Sequence, residues 1–322
     1  MKKGAKKGAK ISIWIAPTIL VIFLAIDIAA SLFLIDYSLS PNMLSNSRIF
    51  EKSIAKIKAD NPQTTEWIDS IFNGQFKDTT IIDDRGYKLF ARYAPAKTPT
   101  EKTAMIVHGY HSSSLEMLHI AYMYHHDLGY NIFLPDLFAH GESEGDHVRM
   151  GWFDRLDVMS WMNIANEVFG GDTKMVVHGI SMGAATTMMI SGEENKPFVK
   201  AFVEDCGYTS VWDEFAGELK AQFNLPKFPL LYSASIINGI TNGWDFKKAS
   251  ALKQVAKCSL PMLFIHGDAD DFVPTWMVYP LYEAKPEPKE LWLTPGVDHA
   301  RSYQRYPTEY TQCVRSFLET HI

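Results

Sequence analysis

Cysteine is scarce. Cys206, Cys258 and Cys313 are the only three in 322 residues; they are odd in number, widely spaced and outside any C-x-x-C pattern, which indicates neither a disulfide framework nor a zinc site. Positive charge is outweighed by negative outside the first ten residues. The formal net charge is −6, and Lys2, Lys3, Lys6, Lys7 and Lys10 supply five positive charges, so the rest of the chain stands at −11. An acidic body argues against a polyanion-binding surface, so no nucleic-acid partner is expected. Internal repeats and low-complexity tracts are absent after the lysine-rich start, and no carboxylate–histidine cluster has tight ligand spacing, so no metal and no cofactor are expected. What remains, with 47% hydrophobic and 21% charged residues, is enough chain for one large globular domain plus an appendage.

The appendage is the run from Ile11 to Ile35, apolar except for a few small polar residues and Asp27. Its 25 residues would span about 37 Å as a helix, enough for a hydrocarbon core of roughly 30 Å with some tilt. Lysines in front and none close behind predict residues 1–36 as a cytoplasmic basic tail and single-pass anchor, with the following domain on the outer side of the cell membrane. A cleaved signal peptide ending near Ala29-Ala30-Ser31 is the competing reading, but the apolar run exceeds an ordinary h-region and continues through Ile35. Asp27 is a cost to either, and is expected to be protonated or to meet a local partner. Residues 37–75 read as a helical connector. After Pro41 and an Asn/Ser-rich stretch, Ile49, Phe50, Ile54 and Ile57, then Trp67, Ile68, Ile71 and Phe72, show helical spacing in two pieces, packed on the main domain or lying on the membrane surface.

From Phe76 the pattern changes to short strands alternating with helical stretches. Thr79–Ile82 and Tyr87–Tyr93 flank the hairpin signal Asp83-Asp84-Arg85-Gly86. Further apolar runs follow at Ala104–Val107, Asn131–Leu134, Met175–Val177, Ala201–Val203, Met262–Ile265 and Leu291–Leu293, which makes eight expected strands. A hairpin followed by such alternation predicts a mostly parallel sheet with helices on both faces, whose chemistry collects at the carboxyl ends of the strands. Three of those ends read His-Gly: His108-Gly109, His178-Gly179 and His266-Gly267. Each His is expected to fill a packed position beside a Gly that lets the backbone turn closely. His125, His126 and His147 read as surface or packing residues. Between about 207 and 257 the rhythm breaks for aromatic helical material with Pro226 and Pro229, which predicts a small helical cap over the sheet.

The chain is organised around Lys174 to Ala185. There a β-branched run meets His178-Gly179-Ile180-Ser181-Met182-Gly183 and passes into helix formers, the strand–turn–helix setting of a nucleophile elbow flanked by Gly179 and Gly183. A serine hydroxyl is a weak nucleophile, so Ser181 needs a base, an orienting acid and donors for an oxyanion. His299 follows the last strand in a loop that could reach back over the strand ends. Asp268, Asp270 and Asp271 lie just after an earlier strand, and only one of the three need face the imidazole.

Ser, Asp and His in this order on this strand–helix pattern resemble the α/β-hydrolase superfamily, over roughly Phe76 to the C-terminus. The family's His-Gly-X-X-Asp-X-X-Val-Pro pattern is similar to His266–Pro274, which implies Asp270 as the acid and leaves Asp268 and Asp271 as solvated loop charges. Asp136–Gly145 resembles another family loop, with Ala139 where Gly is usual, and reads as structural. The nearest resemblance is to bacterial serine aminopeptidase-like and acyl- or cinnamoyl-ester hydrolases. It implies an α/β-hydrolase fold over residues 76–322, with Ser181 as nucleophile, His299 as base and then acid, Asp270 as its orienting partner, and the N–H groups of Tyr110 and Met182 as oxyanion hole. Because some members draw the acid from the strand after the nucleophile helix, Asp205 is the reserve. Trp212, Phe215 and Phe223, with Phe228 and Tyr232, suggest an apolar acyl or aryl pocket in the cap. The expected activity is hydrolysis of a small-molecule or lipid-like carboxylic ester or thioester through an acyl-enzyme. The alternatives are a serine exopeptidase, for which no acidic pair to anchor a free terminus is evident, and a non-catalytic binding protein; oligomeric state is left open.

Overall fold

The computed structural model describes residues 5–43 and 47–322, with side chains over 16–41 and 50–322. Lys2 and Lys3 of the expected basic tail, and residues 44–46 of the connector, lie outside the described residues, as does the side chain of Ile49.

In chain order, α1 (Ala5–Leu39) is followed by a short strand β1 (Asn42–Met43), then by α2 (Ser47–Asp60) and α3 (Thr65–Phe72). The hairpin β2 (Lys77–Ile82) and β3 (Lys88–Ala94) leads to β4 (Lys102–Val107), α4 (Leu118–Tyr122), β5 (Asn131–Asp136) and a second short strand β6 (His140–Gly141). Next come α5 (Asp154–Val168), β7 (Lys174–Ile180), α6 (Met182–Ser191), β8 (Val199–Asp205), α7 (Val211–Phe223), α8 (Leu230–Thr241) and α9 (Ala251–Val255). β9 (Met262–Gly267), α10 (Val278–Ala284), β10 (Lys289–Thr294), α11 (Ser302–Arg305) and α12 (Pro307–His321) complete the chain.

Among the described residues the main sheet has eight strands in the order β10-β9-β8-β7-β4-β5-β3-β2. Only β3 runs antiparallel to its neighbours, because the tight turn at Asp83–Gly86 returns the chain at once. Asp83 Oδ1 accepts the N–H groups of Arg85 and Tyr87, an Asx-type turn that fixes this reversal. The remaining strands are joined by right-length crossovers and are parallel. Their near-continuous apolar composition follows from burial on both faces. Phe133, Trp161, Val177, Met188 and Phe264 build the core on one face; Ile106, Ile132, Val203, Phe317 and the connector residues Ile57, Trp67, Ile68 and Ile71 build it on the other. The connector therefore packs on the body, and Trp67 Nε1 donates to buried His125 at 3.0 Å. This burial opposes the alternative in which both helices lie on a membrane surface.

α1 extends to Leu39, three residues past the expected end of the anchor, because Tyr37, Ser38 and Leu39 carry side chains that pack. Residues 16–39 are long and apolar enough to cross a membrane. Only one stripe of this stretch is covered: Asp27, Ser31 and Leu39 are buried and Leu34 and Ile35 half-buried, at the spacing of one helix face. That stripe meets the cap. Asp27 has the local partner expected of it, since Oδ2 accepts the hydroxyl of Ser233 on α8.

Candidate functional site

The elbow is built by close approach. Ser181, between β7 and α6, has φ 58° and ψ −120°, a conformation that costs a non-glycine residue energy and that the surrounding structure must impose. A Cβ on Gly179 would lie 2.0 Å from the Gly183 carbonyl oxygen, and one on Gly183 would lie 2.1 Å from that of Val107. Only glycine fits at either place. Ser181 N–H donates to Asp205 O at 2.8 Å, and Ser181 O accepts Ala185 N–H at 2.9 Å. The serine is thus pinned at the carboxyl edge of the sheet.

His299, in the loop after β10, places Nε2 2.8 Å from Ser181 Oγ and Nδ1 2.7 Å from Asp270 Oδ2. A carboxylate only accepts, so Nδ1 carries the proton and Nε2 is left to accept from the serine. Asp270 is held in turn. Its Oδ1 accepts the N–H groups of Phe272 and Val273 at 3.1 and 3.0 Å, and its side chain is buried. Asp268 is exposed, as expected of a solvated loop charge, and it also accepts Gly296 N–H at 2.6 Å. It ties down the loop that carries His299. Asp271 is exposed.

Asp205, the reserve acid, makes no hydrogen bond to the imidazole, whose Nδ1 is taken by Asp270. Its carboxylate accepts Tyr310 Oη at 3.0 Å, and Tyr310 is also 3.0 Å from His178 Nε2. The three His-Gly histidines are packed as expected. His108 Nε2 accepts Leu137 N–H, His266 bonds Val273 O, and His178 sits between Tyr124 and Tyr310. Burial lowers His108 to about 4 and His178 to about 3, so both stay neutral at neutral pH.

Burial raises Asp205 from 3.8 to about 7. Between those pH values the folded protein retains a proton that the unfolded chain has released, so the contribution of Asp205 to stability is largest at low pH and falls as pH rises through the window. Asn cannot ionise. The melting temperature of Asp205→Asn, taken relative to the unsubstituted protein, is expected to climb between about pH 4 and pH 7 and to level off above. A difference constant over that window would mean that Asp205 ionises in the folded protein as it does in the unfolded one.

Tyr110 follows Gly109 in the turn after β4, and Met182 opens α6. A Cβ on Gly109 would lie 3.3 Å from Ser181 Cβ, so this turn approaches the elbow closely. The N–H groups of Tyr110 and Met182 donate to no acceptor among the described residues. Asp136, in the loop read as structural, accepts Ser114 N–H and Glu142 N–H.

A cavity of about 270 Å³ opens at Ser181 and is lined by Tyr110, Met182, Tyr208, Phe215 and Phe272. Phe215 is where a pocket residue was expected. Phe223 lines an adjoining groove instead, with its ring edge on Tyr37. Trp212 was expected in the pocket and is not there: it packs inside the cap, edge-on to Tyr232 and beneath the Lys247 ammonium. Residues 212 and 215 are three apart and share a helix face, but Trp212 lies in the first turn of α7, where Tyr232 of α8 and Lys247 cover it. Phe228 is exposed. α9 packs on α6, so the excursion over the strand ends consists of α7 and α8.

Nine of the thirteen lining residues escaped the sequence reading, and four of them bear on the chemistry. Tyr37 and Ser38, from the end of α1, reach the cavity, and Tyr110 Oη donates to Ser38 O at 2.9 Å. No local pattern marks a membrane-type helix as part of a site. Glu214 and Glu218 of α7 also face it; their four-residue spacing beside Phe215 is a signal the sequence did carry. Burial pushes the Glu214 carboxyl well above the ordinary range, and neighbouring Glu218 adds to the shift. Cys206, Asp270 and His299 bring potential ligand atoms within 4.8 Å of one another, but Asp270 and His299 are already engaged in the Ser181 chain of bonds.

Comparison with known proteins agrees with this fold. Residues 98–223 match the family model described as serine aminopeptidase, S33. YqkD of Bacillus subtilis, itself uncharacterised, is 30% identical over 237 residues, 74% of this chain and 75% of that protein. The bem46 protein of Schizosaccharomyces pombe is 24% identical over 62% of this chain and 59% of its own. Among solved structures, the Pyrococcus furiosus esterase Pf2001 superposes with a TM-score of 0.61 at 24% identity, over 76% of this chain and 92% of that one. A Pyrococcus horikoshii acylaminoacyl peptidase does so with 0.58 at 15%, over 78% and 42%. The chain, with its eight-stranded sheet, elbow and cap, belongs to the serine aminopeptidase S33 family of α/β hydrolases.

Proposed function

We propose that this protein is a membrane-anchored serine hydrolase that cleaves a carboxylic ester or thioester through an acyl-enzyme, its catalytic domain on the outer side of the membrane. The observation that carries this reading is the unbroken bond chain Ser181–His299–Asp270 at the mouth of a largely apolar cavity. Ser181 Oγ attacks the carbonyl carbon while His299 Nε2 takes its proton, and Asp270 stabilises the imidazolium. Charge gathers on the carbonyl oxygen, where the N–H groups of Met182 and Tyr110 receive it; losing one such donor typically costs about 10²–10³ in rate. His299 then protonates the departing alkoxide or thiolate. Water, deprotonated by the same imidazole, releases the acid and restores Ser181.

A second reading, the exopeptidase, is favoured by one observation. Glu214 and Glu218 line the Ser181 cavity together and supply the acidic pair that a substrate ammonium would need. That ammonium would have to draw Glu214 into its ionised form against burial. The test runs p-nitrophenyl butyrate against amino-acid p-nitroanilides on the purified full-length protein, with a fluorophosphonate probe as reporter of an activated serine. Ester turnover and labelling at Ser181, with anilides cleaved at least 100-fold more slowly, are expected. Anilide cleavage that exceeds ester cleavage and is lost in Glu214→Gln would move the exopeptidase ahead. A folded protein inert to esters and to the probe would leave the binding-protein reading.

A further inference from the structure

α8 is apolar on two sides. Leu231 and Ala234 are buried against the body, whereas Tyr232, Ile236 and Ile240 are 42%, 64% and 80% exposed. Four-residue spacing puts these three on one stripe, and Phe228, 72% exposed, stands just ahead of it. An exposed apolar stripe of this kind marks a surface that meets a membrane or a partner. Its neighbour is α1, whose residues Ile19 to Phe33 expose large apolar side chains of their own.

Two contacts set the relation of these helices. Ser31 Oγ donates to Leu230 O at 3.4 Å, and Ser233 Oγ donates to Asp27. The later residue of α1 meets the earlier residue of α8, so α8 runs antiparallel, back toward the apolar half of α1. From Ile11 to Ile26 the helix rises only about 24 Å, short of a hydrocarbon core of roughly 30 Å. A bilayer crossed by α1 therefore reaches the level of Asp27 to Ser31, where α8 begins.

Between α1 and the cap lies a second, narrow groove of about 50 Å³, lined by Leu34, Ile35, Leu219, Phe223 and Leu231. It shares Tyr37, Ser38, Phe215, Glu218 and Gln222 with the Ser181 cavity. We infer that the substrate is an ester dissolved in the bilayer: the outer face of α8 rests in lipid beside α1, and the acyl chain passes through the groove between them to Ser181. This rests on the ester-hydrolase reading for its substrate, though not for the lipid contact. The occupant of the α8 stripe is lipid rather than a second chain because the stripe continues the exposed apolar surface of the spanning helix.

The test places spin labels on Ile236→Cys, Ile240→Cys and, as a control on edge strand β2, Ile82→Cys, which is 66% exposed. The full-length chain is reconstituted in phosphatidylcholine vesicles, with the unsubstituted protein correcting for Cys206, Cys258 and Cys313. Oxygen is expected to relax the two α8 labels at least 3-fold more than a water-soluble nickel chelate does, with the reverse at residue 82. Equal nickel access at all three, or dipolar broadening between α8 labels of two copies, overturns the lipid contact. In parallel, Ile236→Asp/Ile240→Asp is expected to lose about 10-fold on a vesicle-embedded palmitoyl ester while keeping its rate on dispersed p-nitrophenyl butyrate. An embedded-ester rate that is unchanged, or that falls only together with butyrate, overturns delivery from the bilayer. If the unsubstituted protein hydrolyses neither ester, the hydrolase reading fails by itself, and the labels still decide the lipid contact.

Discussion

On the proposed mechanism, Ser181→Ala is expected to lower ester turnover by roughly 10⁴- to 10⁶-fold, as for loss of the nucleophile in a serine hydrolase whose remaining groups act only through it. The effect is large because His299 and Asp270 have no other proton to move: Nε2 faces Ser181 Oγ at 2.8 Å and Nδ1 is committed to Asp270. Residual rate would come from binding and from the proposed oxyanion donors, the N–H groups of Met182 and Tyr110. The fold is expected to survive, since the hydroxyl bonds only to His299 among the described residues and removing one oxygen opens no sizeable cavity. The check is kcat/KM on p-nitrophenyl butyrate beside a thermal melt. A variant that melts normally and keeps more than about a tenth of its activity would exclude Ser181 as the attacking group.

Gly183→Ala is expected to cost about 4 kcal/mol or more, in the range reserved for backbone clashes and large core defects. At about 2–4 °C per kcal/mol for a domain of this size, the melting temperature should drop by about 10 °C. The new methyl would sit 2.1 Å from Val107 O and 2.6 Å from His108 O. Both are backbone atoms, so relief requires moving the end of β4, which carries Gly109 and the Tyr110 N–H. Activity should fall with stability. Gly217→Ala is the control: it lies within α7, its Cβ would meet nothing within 4 Å, and alanine is favoured over glycine in a helix. Its melting temperature should hold or rise. Equal melts for the two variants would mean that the elbow tolerates a side chain and that the close approach of α6 to β4 is not what demands glycine.

Much of the fold was legible in the sequence, and for a physical reason. A strand buried on both faces must be apolar throughout, so the six inner strand cores stand out as short runs between turn residues, while the edge strands β2 and β10 are only partly covered. The turn at Asp83 and the elbow at Ser181 carry their own chemistry, an Asx side chain in one case and glycines admitting close approach in the other. The residues brought forward for nucleophile, base and acid lie in one hydrogen-bonded chain because each follows a parallel strand, and parallel strands end on the same edge. The tie of Asp268 to Gly296 was harder to read, because it joins two loops 28 residues apart. The pocket was harder still. Trp212 and Phe215 are equally aromatic, and only the packing of Tyr232 and Lys247 over the first turn of α7 separates the one they cover from the one facing Ser181.

The sequence by itself determined the order of elements, the elbow and the apolar character of α1, because each is written in neighbouring residues and in periodicities of two or 3.6. Tertiary structure alone decided that α1 is also a wall of the candidate site. Asp27 finds Ser233, Ser31 finds the Leu230 carbonyl, and Tyr37 and Ser38 reach the Ser181 cavity, through contacts between segments about 140 to 200 residues apart. A membrane-length run looks the same in sequence whether it stands alone in lipid or lays one stripe against a cap. The difference is made by which face the cap presents to it, and that depends on how α7 and α8 pack over the strand ends.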